Sequence, residues 1–274
     1  MNPIEILFLF AILLASLPID VDSSRLAQEL GVETQIEYYD NGKKRTSRIY
    51  APSGRKSIFT EWHENGEIKE ETHNGHDGYY RATWHENGNE KSVEQSHNGK
   101  RIGKWTNWYE NGQKESEIDY DNYFRTQWYE NGLTGFEEVC INYRSPCKLT
   151  SWYENGQMQS DGQLFSRNEI YSDDWYESFG TLKKVGRWDF WRENGQLMDA
   201  SYYLNGEISK MVLFDENGQL TAEHYFLNGE ISKMVLFDGN GHKGSEYYYL
   251  NGEISKSIYW LSDGTIFHSN EQTD

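Results

Sequence analysis

The chain alternates short segments rich in aromatic and β-branched residues with polar turns that contain Asn-Gly. Asn-Gly occurs fourteen times, and about nine residues separate successive turns where the pattern is regular. Segments of this length and composition favour β-strands and are too short for a helix with its connections. Asn tolerates positive φ and Gly adopts it freely, so each Asn-Gly is predicted to form a two-residue type I′ turn between antiparallel strands.

The turns fall into two classes that alternate along the sequence. LNGEISKMVLFDENG at Leu204–Gly218 returns 23 residues later as LNGEISKMVLFDGNG at Leu227–Gly241, so the chain is a repeat array. Turns of one class read His-Asn-Gly or Leu-Asn-Gly. Turns of the other class follow an aromatic residue three positions before Asn, as at Trp62, Trp84, Trp108, Trp128, Trp152 and Trp191. One repeat is therefore a hairpin of about 23 residues.

Side chains alternate between the two faces of a strand, so an aromatic residue at a fixed distance from each turn always points to the same face. We expect these rings to stack in a row that replaces a conventional core. The predicted fold class is all-β, an elongated antiparallel meander or solenoid of tandem β-hairpin repeats with no separate globular core. Asp121-Asn122 and Asp161-Gly162 resemble eroded turns of the Leu-Asn-Gly class.

The expected domain organisation has four parts. Residues 1–23 form a secretory signal-like leader, 24–35 a linker, 36–268 the repeats with an irregular Cys-containing insertion at 136–148, and 269–274 a polar tail. Ile6–Ala15 is an apolar run too short to span a bilayer but suited to the core of a signal peptide. Such a leader implies a secreted, periplasmic or cell-envelope protein. An uncleaved anchor and a packed terminal segment are the alternatives, and without a signal the protein would be cytoplasmic.

Two cysteines, Cys140 and Cys147, bracket a short Pro-containing segment inside the insertion. A local disulfide between them would fit an exported protein. Two free or packed thiols are the alternative.

The charge of the chain excludes some partners. There are 26 Lys and Arg against 44 Asp and Glu, a net charge of −18, and the sequence pI is about 4.9. Nucleic-acid binding depends on neutralising phosphates, and anionic membranes attract basic segments, so neither surface is an expected partner. A basic protein partner or simple solubility remains.

The sequence contains none of the motifs that we associate with catalysis, such as a Gly-Xaa-Ser-Xaa-Gly elbow or a phosphate-binding loop. We therefore expect no enzyme activity, no cofactor and no metal site. The candidate binding surface comprises the repeated aromatic and acidic turn residues Trp62, Trp84, Trp108, Tyr109, Trp128, Tyr129, Trp152, Tyr153, Trp191, Glu110, Glu130 and Glu154.

The segment His97–Glu117, HNGKRIGKWTNWYENGQKESE, resembles the variant MORN repeat of bacterial tandem-repeat proteins. Such proteins are commonly grouped as the YwqK family of toxin–antitoxin antitoxins, and the resemblance extends over about Tyr38 to Phe267. It implies a non-enzymatic protein-binding scaffold, whose partner in the antitoxin case would be a basic toxin.

Two other functions are open from the sequence. Aromatic hairpins with Trp-Tyr pairs also resemble the choline-binding repeats of bacterial surface proteins, in which rings hold quaternary ammonium groups through cation–π contacts. That resemblance implies an exported protein that binds carbohydrate, cell wall or choline. The third reading is an acidic structural spacer.

Overall fold

The computed structural model describes residues 33–50, 57–75, 78–142, 145–166 and 182–271. These residues form two compact units, and the first holds β1 to β7 together with the turn residues Glu110–Gly112. Its strands are β1 (Glu33–Tyr38), β2 (Lys44–Tyr50), β3 (Ser57–Trp62), β4 (Ile68–Asn74), β5 (Gly78–Trp84), β6 (Glu90–His97) and β7 (Lys100–Arg101).

The second unit holds fourteen strands, β8 to β21. They are β8 (Lys104–Trp108), β9 (Lys114–Asp119), β10 (Phe124–Trp128), β11 (Thr134–Cys140), β12 (Cys147–Trp152), β13 (Met158–Ser166), β14 (Leu182–Trp191), β15 (Leu197–Leu204), β16 (Glu207–Phe214), β17 (Leu220–Leu227), β18 (Glu230–Phe237), β19 (Lys243–Leu250), β20 (Glu253–Trp260) and β21 (Ile266–Glu271).

Within each unit, every strand pairs antiparallel with its neighbours in the chain. This is the pattern of consecutive hairpins, and it confirms the all-β tandem-hairpin fold class. The described ranges contain no helix with the length and apolar character that crossing a membrane requires.

Several predicted boundaries differ from the structure or lie outside it. The leader at 1–23 falls outside the described residues. Strand β1 begins at Glu33, inside the predicted linker, and β21 extends to Glu271, inside the predicted tail. The predicted insertion at 136–148 is narrower, because β11 continues to Cys140 and β12 begins at Cys147.

The prediction that every Asn-Gly forms a type I′ turn is right for only one class. At Asn98, Asn205, Asn228 and Asn251 both Asn and the following Gly have positive φ, as a type I′ turn requires. In the aromatic class only the Gly does, as at Gly66 with φ 97°. There the backbone N–H of Gly66 donates to the carbonyl of His63, and the N–H of His63 donates to the carbonyl of Glu67.

That pattern encloses three residues, Glu-Asn-Gly, in a type I turn closed by a glycine bulge. The extra residue explains the register shift beside each aromatic residue, for example between Glu61 and Trp62. Three other predicted turns have different outcomes. Asn74-Gly75 has no positive φ, Asp121-Asn122 does form a turn, and the predicted turn at Asp161-Gly162 is wrong because both residues lie inside β13.

Candidate functional site at the Glu-Asn-Gly turns

A ladder of asparagine side chains links successive Glu-Asn-Gly turns. At five of these turns, the first of them Asp-Asn-Gly at Asn41, Asn Nδ2 donates a hydrogen bond to the main-chain carbonyl of the Glu in the next turn of this class. In the first unit the pairs are Asn41 to Glu64 (3.2 Å), Asn65 to Glu86 (2.7 Å) and Asn87 to Glu110 (2.8 Å). In the second they are Asn131 to Glu154 (2.9 Å) and Asn155 to Glu193 (3.0 Å).

The same asparagines also hold their own turns. The Oδ1 of Asn131 accepts a hydrogen bond from the N–H of Leu133 at 2.9 Å, and Asn65 and Asn155 bind the N–H two residues later in the same way. Each amide therefore acts as acceptor within its turn and as donor to the next. A side-chain amide carries its donor and its acceptor on two separate atoms, and Asn holds them on a shorter side chain than Gln, which suits a turn.

A second ladder runs beside the first and uses the residue two positions before Asn at six of these turns. The hydroxyl of Tyr109 donates to the carbonyl of Trp128 at 2.8 Å, Tyr129 to that of Trp152 at 2.8 Å, and Tyr153 to that of Trp191 at 2.9 Å. The same position holds Tyr39, His63 and Arg192, whose polar atoms reach the carbonyls of Trp62, Trp84 and Phe214. In these six turns the position holds a side chain long enough to carry a donor to the next hairpin.

These bonds change the interpretation of the candidate binding surface. The predicted tyrosines tie neighbouring hairpins together through their hydroxyls. Of the predicted tryptophans, Trp62 is buried, and Trp84, Trp108, Trp128, Trp152 and Trp191 are half-buried. Only the carboxylates of Glu110, Glu130 and Glu154 are exposed. The acidic residues, rather than the rings, are what these turns present to solvent.

The expected aromatic row requires ring contact between successive turn tryptophans, but in the first unit the strand spacing places them too far apart. Trp62 lies on β3 and Trp84 on β5, so two strand spacings, about 10 Å, separate them, beyond the range of ring contact. Lysines from intervening strands reach these rings instead. Lys114 Nζ lies 5.7 Å from the Trp128 ring, and Lys44 and Lys243 occupy the same relation to Trp62 and Trp260.

Carboxylates on this face are neutralised by nearby lysines. Glu117 is buried, and its oxygens accept hydrogen bonds from Lys104 (2.7 Å) and from Lys114. Burial acts to raise the pKa of Glu117, but the two lysines outweigh it and hold that pKa below its usual range. Lys233 and Lys243 flank buried Glu246 in the same way. These acids belong to the internal structure of the sheet and are not available to a partner.

One aromatic cluster surrounds a cation of the chain itself. Lys184 Nζ lies 4.5 Å from the Trp188 ring, 4.6 Å from the Phe190 ring and 5.3 Å from the Tyr203 ring. Burial lowers the pKa of Lys184, while the carboxylate of Asp199 opposes that shift. Aromatic rings arranged in this way form a cation site, and here the chain's own ammonium group fills it.

The two cysteines form a disulfide between β11 and β12. Their sulfurs are 2.00 Å apart, and Cys140 and Cys147 are directly opposite each other in the strand register. The buried carboxylate of Glu138 lies close to both sulfurs. While the sulfurs are bonded to each other, they do not offer thiolate ligands for a metal.

The family model that matches this chain is the MORN repeat variant, at residues 57–73 and 101–122. The matched residues contain β3, most of β4, β8 and β9. The chain therefore carries MORN-variant repeats at two positions, as the sequence resemblance predicted. No curated protein is similar to it at a significant level.

Solved structures that align with the chain do so at low similarity. They include a GtfA/B complex bound to UDP and GlcNAc (TM-score 0.23, 11% identity, 31% of this chain and 22% of that one). An S. aureus TarM mutant in complex with Fondaparinux, alpha-GlcNAc-glycerol and UDP aligns with a TM-score of 0.27 and 9% identity, over 43% of this chain and 20% of that one. A Photorhabdus luminescens Tc holotoxin pore mutant aligns with a TM-score of 0.20 and 10% identity, over 88% of this chain and 15% of that one. The chain spans less than a quarter of each of these proteins.

Neither ladder was predicted from the sequence, although the sequence contains a signal for both. Asn65, Asn87 and Asn111 recur at spacings of 22 and 24 residues, and Tyr109, Tyr129 and Tyr153 recur beside them. In the sequence prediction the asparagines serve turn geometry alone. Their second role requires knowing that successive turns of one class lie side by side at the same edge of the sheet.

Proposed function

We propose that this protein is a non-enzymatic repeat scaffold that binds another protein through its row of exposed turn glutamates. The proposal rests on the different roles of the main-chain carbonyls and the side-chain carboxylates of Glu64, Glu86 and Glu110. The ladder uses their main-chain carbonyls, which any residue could supply, and leaves their carboxylates exposed. Since the hydrogen bonds do not require Glu, its recurrence at these turns supports a role for its charge.

The spacing of the turn carboxylates and the net charge of the chain indicate what kind of protein would bind. Successive turns of this class are two strands apart, so their carboxylates repeat at about 10 Å. A net charge of −18 attracts a basic protein during diffusion and repels an acidic one. Lys and Arg repeating at a matching distance would pair with several carboxylates at once. The resemblance to YwqK-type antitoxins makes a basic toxin the finer form of this proposal.

A matched pair of variants tests the proposal. Glu64→Gln/Glu86→Gln/Glu110→Gln removes three charges from the turn row. Glu207→Gln/Glu230→Gln/Glu253→Gln removes three exposed charges from the Leu-Asn-Gly turns and serves as the control. We expect a basic protein captured from host lysate by the wild type and the control to be lost by the first variant and by added salt. Equal capture by both variants would contradict the proposal.

Cation binding by aromatic rings is the second candidate, favoured by the cluster around Lys184. Lys184→Ala would vacate the space between Trp188, Phe190 and Tyr203. If such clusters bind quaternary ammonium groups, choline should quench the tryptophan fluorescence of this variant more than that of the wild type. No quenching of either protein by choline or by cell-wall glycans would reject this candidate.

A further inference from the structure

The two cysteines of the disulfide differ in their exposure to solvent. Cys140 is 6% exposed, whereas Cys147 is half-buried and begins a strand. Thiol–disulfide exchange begins when an incoming thiolate attacks one of the two sulfurs. A thiol approaching from solvent therefore meets Cys147, and the sulfur of Cys140 becomes the leaving group.

A carboxylic acid lies beside that leaving group. Glu138 precedes Cys140 by two residues on β11, so both side chains lie on one face of the sheet. A Glu138 oxygen and the two sulfurs all lie within 4.8 Å of one another. Glu138 is only 1% exposed, and its Oε2 accepts no hydrogen bond from any residue that the structure describes.

The groups facing Glu138 explain its protonation. Arg125 on β10 places its Nε 3.7 Å from Oε2 of Glu138, and its guanidinium lies over the Phe136 ring. The disulfide faces the Glu138 carboxyl group from β11 and β12. Burial raises the pKa of Glu138 to about 7, and the charge of Arg125 opposes this only in part. At neutral pH the group can therefore both release and accept a proton.

We propose that Cys140, Cys147 and Glu138 form a thiol–disulfide exchange site in which Glu138 transfers a proton to and from Cys140. The co-reactant is a dithiol. One of its thiolates attacks Cys147 Sγ, the S–S bond breaks, and its electron pair passes to Cys140 Sγ, which takes the proton of the Glu138 carboxylic acid. A mixed disulfide joins Cys147 to the dithiol.

The second step releases Cys147 from the mixed disulfide. The second thiol of the dithiol loses its proton to water, and the resulting thiolate attacks the dithiol's other sulfur in the mixed disulfide. Cys147 leaves as a thiolate that takes a proton from water, and Glu138 regains its proton from water. The protein disulfide is reduced to two thiols and the dithiol is oxidised to a cyclic disulfide. In the reverse direction Glu138, as a carboxylate, removes the proton of Cys140 and so generates the attacking thiolate.

The experiment follows the reduction of the folded, full-length protein by dithiothreitol from about pH 6 to about pH 8, the range around the Glu138 pKa. Rates are divided by the fraction of dithiothreitol present as thiolate, so that only the protein's own titration remains. We expect the corrected wild-type rate to fall as the pH rises through about 7, where Glu138 loses its proton. Glu138→Gln should give a flat profile and be about tenfold slower at the acid end, a modest effect for general acid catalysis because a thiolate leaves readily.

Two controls make the result specific. Glu137→Gln changes the neighbouring acid on the opposite face and should keep the wild-type profile. In Cys140→Ser, the Cys147 thiolate should displace one glutathione from added glutathione disulfide and keep the other as a stable mixed disulfide, because no Cys140 thiolate remains to release it, and mass spectrometry locates it. A wild-type profile without an inflection, or one that Glu138→Gln leaves unchanged, would overturn the proposal. The wild-type arm decides the question even if Glu138→Gln folds incompletely.

Discussion

The indole of Trp188 on β14 occupies the space that a side chain on Gly162 of β13 would need. A Cβ at residue 162 would lie 2.2 Å from Cδ2 of that ring. Trp188 is 3% exposed, and its Nε1 donates a hydrogen bond to the carbonyl of Gln163 at 2.9 Å. Glycine at this position is therefore a packing requirement, and the Asp-Gly pair that resembles a turn in the sequence lies within a strand.

Gly162→Ala should destabilise the protein by about 2 kcal/mol, because a rigid indole cannot move aside without losing its own contacts. Gly244→Ala is the matched control in a strand, since its Cβ would meet only the Leu236 carbonyl at an ordinary 3.7 Å. Urea denaturation compares the two free energies of unfolding. Equal effects would show that the Trp188 contact does not constrain this position.

Tyr129→Phe should cost about 1 kcal/mol of stability. The substitution keeps the ring beside Gly135 and removes only the hydroxyl that donates to the carbonyl of Trp152. Tyr38→Phe, at a side chain 51% exposed, should be close to neutral. Thermal unfolding of both variants checks the prediction, and an unchanged midpoint for Tyr129→Phe would show that the hydroxyl ladder adds nothing to stability.

The two roles of Asn131 can be separated by substitution. Asn131→Asp keeps the oxygen that accepts from the N–H of Leu133 and loses the donor to the carbonyl of Glu154. We expect a loss of at least about 1 kcal/mol from this change, because the lost bond leaves a carboxylate oxygen facing the carbonyl oxygen of Glu154, and a loss of about 2 kcal/mol from Asn131→Ala, which removes both bonds. Denaturant titrations measure each value. A neutral Asn131→Asp would mean that the donor to the next turn contributes no stability.

The two turn classes predict different responses to the same mutation. Asn228 has φ 53°, a conformation that costs an Ala about 1 kcal/mol, so Asn228→Ala should be destabilising. In the neighbouring repeat, Asn217 has no positive φ, and Asp215 Oδ1 binds its main-chain N–H. Asn217→Ala should therefore be nearly neutral. Calorimetry on the two variants tests this, and the reverse order would contradict the assignment of turn types.

Glu138 should make stability depend on pH in the direction opposite to that of most carboxylates. Its folded-state pKa, about 7, exceeds the ordinary 4.5, so between these values the folded protein holds a proton that the unfolded chain has released. The free energy of unfolding should therefore fall as the pH rises through this window, by about 3 kcal/mol in total, and level off above it. Glu117, whose pKa is lowered, acts in the opposite direction at lower pH.

Urea denaturation of the wild type and Glu138→Gln across the same pH range isolates this contribution. The difference between the two curves should change with pH, because all other titrating groups are common to both proteins. A constant difference would show that Glu138 ionises in the folded state as it does in the unfolded chain.

The sequence alone determined the hairpin repeat. Strand length, the aromatic and β-branched composition and the recurring Asn-Gly are local properties, and local properties decide where an antiparallel chain turns. Even the turn class has a local signal, because Glu-Asn-Gly carries one more loop residue than the Leu-Asn-Gly turn at Asn228. The sequence also brought Cys140 and Cys147 into consideration as a pair.

Only the tertiary structure decided what the repeated residues do. The sequence predicts Tyr129 as part of a binding surface, whereas its hydroxyl donates to the carbonyl of Trp152, 23 residues away in sequence. Gly162 and Trp188 meet across two strands joined by a long connection, and the burial of Glu138 beside a disulfide depends on three strands together. Such contacts depend on register between strands, and no single segment of the chain contains that information.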